Sequence, residues 1–146
     1  VITFSLGAFN AVPTNIDGVK TDWHNLSHHG KDENKIDELE MIEKEEFSLF
    51  ADFLGDLKNH KENGSSLLTD TAVLFGSNLG NASSHDWRNL PIILAGGGYK
   101  HGSYVAHDAD DNTPLCNLFV PLARRMGVKT EQFGSSTKST IRGLES

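Results

Sequence analysis

Apolar residues recur at intervals of three and four along one stretch of the chain: Ile36, Leu39, Ile42, Leu49, Phe50, Phe53 and Leu57. That spacing predicts a helix from about Asp32 with one buried stripe, broken once by Glu46. Acids crowd its first turns, and Lys58, His60 and Lys61 lie near its end, where the helix dipole favours cations. Asn63-Gly64 reads as its stop signal. Continuous apolar runs bounded by turn residues predict buried strands at VITFSL (1–6), TAVLFGS (71–77) and within LPIILAGGG (90–98).

The segments between are polar. Residues 7–22 are rich in Gly, Pro, Asn and Asp and read as a loop, as do residues 78–89; residues 99–112 read as a hairpin or a surface excursion. Thr113-Pro114 offers an N-cap and a first helical position. The helix expected there ends at Gly127, carries Arg124 and Arg125 at its negative end, and is kinked or split at Pro121. Residues 134–146 form a polar tail, anchored by Phe133 just before it.

Strand, helix, strand, strand, helix is the pattern of an α/β sheet with flanking helices. Three strands make a narrow sheet for a whole domain. Residues 1–146 therefore read as a single α/β domain or the C-terminal fragment of a larger one, with a processed or cut start at Val1. Apolar content of 37% and charged content of 23% suit a folded chain. No apolar run approaches the roughly 20 residues that span a bilayer. The net charge of −7 argues against sequence-independent binding to nucleic acid, though not against a small anion held by a metal. The single cysteine, Cys116, excludes an internal disulfide and reads as a buried thiol.

Candidate chemistry concentrates in DWHNLSHHG, residues 22–30, which holds three of the seven histidines. His24 and His28 are four apart, so on a helix their rings share a face and can serve one ion. Asp22 and Ser27 are placed to orient the rings by accepting an N–H, and His29 would point elsewhere, to the second shell or a second ion. The competing reading is a solvated loop whose histidines do nothing. His85 follows the second apolar strand, on the side where ligands gather in open α/β sheets, and would complete a three-histidine zinc set with an open position. Its competing role is to cap a turn. Asp86 could serve as a ligand or as an acid behind one. Trp23 and Trp87 either wall such a site or only pack. AGGGYKHG lacks the spacing of a nucleotide-binding loop, so a tight turn is the better reading, with Lys100 as a possible anion contact. No Ser, Thr or Cys stands in a recognisable nucleophile setting.

The string His24-Asn25-Leu26-Ser27-His28-His29 resembles the signature of the HxxSHH family of uncharacterised exported bacterial proteins. VITFSLG, SLLTDTAVLFGSNLG, NLPIILAGGG, TPLCNLFVPLARRMGV and EQFGSST resemble its further segments in order, covering nearly the whole chain. The family is grouped with the alkaline-phosphatase and sulfatase-like fold. Its members are usually longer at the amino end, so the resemblance makes this chain their carboxyl-terminal part. It implies a metal-dependent hydrolase of phosphate or sulfate esters acting on a small anionic substrate. His24, His28 and His85 would hold zinc, and His29 would be catalytic, as a proton donor or further ligand. Where the wider group has an Asp-His pair after a strand, this chain has Asn78 and Asn81, which argues against a second metal. The alternative is a non-catalytic metal-binding or structural module of an exported assembly, periplasmic or extracellular. Expected partners are the missing amino-terminal part, a second copy, or an exported cytochrome-type protein.

Overall fold

The structure is a computed structural model that describes residues 1–6 and 10–144. Residues 7–9 of the expected first loop and residues 145–146 of the expected tail lie outside the described residues. It is a mixed α/β chain with two small antiparallel sheets and helices. The elements are α1 (Trp23–Ser27), α2 (Glu33–Asn59), β1 (Lys61–Glu62), β2 (Ser65–Ser66), α3 (Leu67–Asp70), β3 (Ala72–Gly76), β4 (Ile92–Gly96) and α4 (Cys116–Arg125). They fall into two compact units, one of residues 1–53 with 81–86, the other of residues 54–80 with 87–146. No helix among the described residues is long and apolar enough to cross a membrane.

In the first unit, α2 starts where Asp32 takes the backbone N–H of Asn34 and of Lys35 on Oδ1, at 2.9 and 3.4 Å. These are donors that an uncapped first turn leaves without partners. In the first half of the stripe Ile42 is buried and Leu39 half-buried, while Ile36 at its start is exposed. Ile42 joins Val19 and Leu26 in a core against which Ile16, Trp23 and Leu39 pack. Two other expectations fail. Residues 1–6 form no strand, and Val1, Ile2 and Phe4 are 104%, 96% and 85% exposed. An apolar run supplies only the side chains of a strand. The backbone also needs a neighbour to pair with, and both sheets here have only two strands. The second half of the stripe is not buried either, since Leu49 and Phe53 are exposed.

In the second unit α2 ends at Asn59, with His60 Nδ1 donating to Asp56 O at 2.9 Å. Asn63-Gly64 is not the helix stop. It is the two-residue turn between β1 and β2, with φ of 50° and 86°. Both central residues in the left-handed region are what a hairpin of this kind demands, and Asn-Gly meets that demand best. β3 and β4 pair in antiparallel register, Ala72 opposite Gly96 and Phe75 opposite Ile93. Gly96, Gly97 and Gly98 all have positive φ, and Gly97 N–H donates to Leu68 O at 3.0 Å. A Cβ on Gly96 would lie 2.3 Å from two carbonyl oxygens, so the glycines are a steric necessity of a tight turn. The Arg125 guanidinium sits 5.1 Å from the Tyr99 ring beside that turn. Residues 99–112 form no hairpin.

α4 begins at Cys116, not at Pro114, and no side chain caps it. Pro121 lies inside it without splitting it. Cys116 is half-buried, not buried, with the Ser135 hydroxyl 3.4 Å from its sulfur. The tail is tied down by Asn117, which is buried in α4. Its Oδ1 accepts from the N–H of Thr137 at 2.8 Å and of Lys138 at 3.1 Å, and its Nδ2 donates to the Thr137 hydroxyl. Asn117→Ala removes the acceptor of two part-buried backbone hydrogen bonds, at about 0.5–1.5 kcal/mol each. A fall in denaturant midpoint and faster proteolysis of the tail are expected, whereas Asn117→Asp keeps the acceptor and should retain the tail.

Candidate histidine site

α1 is only five residues long and cannot persist alone. Three local features hold it. Asp22 Oδ1 accepts from Asn25 N–H at 2.9 Å as its N-cap. The Ser27 hydroxyl donates to His24 O at 2.8 Å. Leu26 is fully buried in the core described above. Asp22 and Ser27 therefore shape the helix backbone instead of orienting rings, a correction to the sequence expectation. Trp23 packs against the core.

The loop before α1 is fixed to α2 by Glu38, whose Oε2 accepts from Lys20 N–H at 2.8 Å and Thr21 N–H at 3.0 Å. The Lys20 N–H chiefly, opposed by desolvation and helped by Thr21, holds this carboxyl below its usual value. A depressed carboxylate stabilises the fold above the unfolded-state value near 4.5, and the contribution is lost as pH falls through the lower folded-state value. Glu38→Gln should therefore lower the melting temperature at neutral pH, with the difference shrinking in acid. Calorimetry across pH checks this.

The second segment is a tight turn closed by an Asn81–Asp86 bridge. Asn81 Oδ1 accepts from Ser84 N–H at 3.2 Å, and His85 N–H donates to Ala82 O at 3.2 Å. His85 sits at φ 52°, a left-handed conformation uncommon for a residue with a side chain. The Ser83 hydroxyl donates to Ser27 O at 3.3 Å, joining this turn to α1 across 56 positions of sequence.

These two segments bring three rings together within the first unit. The His24 and His28 rings are 5.0 Å apart between centroids, and so are those of His28 and His85. His28 Nε2 and His85 Nε2 are 3.3 Å apart, close enough for one ring's N–H to donate to the other's lone pair. His24 Nδ1 lies 3.5 Å from Asn10 Oδ1, which favours a proton on Nδ1 and a lone pair on Nε2. Sequence reasoning missed Asn10 and Ser83, which act across long loops and carry no motif. His29 makes a different contact: its Nδ1 accepts from Lys31 N–H at 3.1 Å, which puts the neutral ring's proton on Nε2. Lys31 has φ 71°, so both turns beside the rings hold a strained backbone.

Two ligand nitrogens 2.0–2.1 Å from a tetrahedral ion are about 3.3–3.4 Å apart. The Nε2 pair of His28 and His85 has that separation. His24 is the adjacent third ring. As they stand, no three His, Cys, Asp or Glu side chains among the described residues are arranged to hold an ion together. A third donor from His24 requires its ring to turn, and its exposure leaves room for that. Trp87 is exposed. Comparison with protein-family models, curated proteins and solved structures returned no match for this chain.

Proposed function

We propose that the chain is the histidine-bearing part of a metal-dependent hydrolase of phosphate or sulfate esters, of the alkaline-phosphatase-like class. The observation that carries this is the 3.3 Å approach of His28 Nε2 to His85 Nε2, from segments 57 positions apart. Zinc is the ion we assign, held by His28 and His85 with His24 as third donor. When bound, such an ion supplies Lewis acidity toward an ester oxygen. Asn10 sets the His24 tautomer, and the Ser83 hydroxyl keeps the His85 turn against α1. His29 would donate to the leaving group as the imidazolium, for which its Nδ1 gives up the Lys31 N–H and takes a proton. On the family resemblance the protein is exported, to the periplasm or beyond, and works with further polypeptide or an exported partner.

The second reading is a non-catalytic metal-binding or structural module. It is favoured by the incomplete third ligand and by the lack of a recognisable nucleophile. Elemental analysis of the purified chain, followed by ester hydrolysis with and without chelator, separates the two. Stoichiometric zinc with chelator-sensitive turnover supports the enzyme. Zinc without turnover on a broad phosphate and sulfate ester panel supports the module. No zinc uptake at all overturns the hydrolase and leaves a structural module without metal.

A further inference from the structure

Helix α2 carries nine carboxylates and three lysines, a net charge of −6 against −7 for the whole chain. Its early turns are covered by the loop that brings Ile16 and Val19 onto Leu39 and Ile42. Its later turns are different. Phe47, Leu49 and Phe53 are 48%, 56% and 50% exposed, and Phe50 beside them is half-buried. Glu43 and Glu46 stand three apart among these side chains and share their face.

The geometry points to this face, Glu43 to Phe53, as the docking surface for a cationic amphipathic helix of a partner protein. The exposed Leu49 and Phe53 call for apolar cover. The two carboxylates decide what kind. Both are already held above the usual carboxylate value, first by burial and then by repulsion, from Glu40 on Glu43 and from Glu43 on Glu46. A purely apolar cover would bury them without partners, which is costly. A second copy meeting the same face about a two-fold axis would set like charges together. An anionic membrane would repel it. Lysine or arginine interspersed with leucine-like residues satisfies both demands. The assignment is independent of the histidine site.

The test is titration of the full chain with a fluorescent Leu/Lys amphipathic helical peptide, beside Leu/Gln and Leu/Glu peptides of the same pattern. Saturable binding is expected for Leu/Lys, roughly tenfold tighter than for Leu/Gln and weakened by salt. Glu43→Gln with Glu46→Gln should weaken it by about tenfold, and Leu49→Ser with Phe53→Ser similarly. Asp37→Asn with Glu45→Gln changes the same charge off this face and should leave it within about twofold. Circular dichroism verifies that each variant keeps its helix. Equal binding of Leu/Lys and Leu/Gln overturns the proposal. So does equal weakening by the off-face pair, or a chain that self-associates through Leu49 and Phe53 and excludes the peptide.

Discussion

His28→Ala is expected to lower zinc affinity by roughly 100-fold or more, above the 10–100-fold typical of losing an outer partner of a metal ligand. His28 is the shared ring. It lies 5.0 Å from both His24 and His85 and supplies one nitrogen of the 3.3 Å pair. Removing it leaves His24 and His85 without the donor between them. His85 allows a sharper comparison, because it combines a ring with a left-handed backbone. His85→Ala removes the ring and keeps the strain. His85→Gly removes the ring and relieves strain of about 1–3 kcal/mol. Both should lose zinc, while only the glycine variant should melt higher than the unmodified apo-protein. His29→Ala should leave zinc affinity nearly intact and lower turnover by about 10²–10⁴. Calorimetric zinc titration and ester turnover on the same preparations read out all four. Unchanged zinc affinity in His28→Ala would sink the site.

Leu26→Ala should cost about 2–5 kcal/mol, as a large-to-small change at a fully buried position. The effect lies at the upper end because the first unit's core is small: Val19, Leu26 and Ile42 are its buried hydrophobics, with three partly buried neighbours. Few surrounding side chains can move in to fill the gap. The consequence reaches the site. α1 has five residues, too few to hold a helix without tertiary contacts, and it carries His24 and His28. Chemical denaturation should show a lower midpoint, and zinc affinity should fall with it although no ligand was touched. Leu74→Ala, at an exposed strand position, should cost under about 1 kcal/mol and leave zinc binding alone. Equal effects of the two substitutions would show that Leu26 does not seat the helix.

Glu46 shows how one residue was legible as a feature but not as a function. In the sequence it is a polar break in an apolar stripe. In the structure the stripe divides there: Ile42 is core, while Leu49 and Phe53 face out with the carboxylate among them. Periodicity reports which side chains share a helix face, and it does not say how much polypeptide covers that face.

By itself the sequence determined the long helix, the two apolar strands of the antiparallel pair, the glycine turn after the second strand, and the histidine string. Each depends on contacts within a few residues: spacing along a helix, backbone freedom of glycine, apolar runs between turn residues. Only the tertiary structure decided the rest. It left residues 1–6 without a strand to pair with, because a ladder needs a distant neighbour that no local pattern supplies. It used Asn63-Gly64 as a hairpin turn, because left-handed residues serve helix ends and hairpins equally well in sequence. It also set His85 against His28 through the Ser83 contact to α1, across a separation that only the folded chain closes.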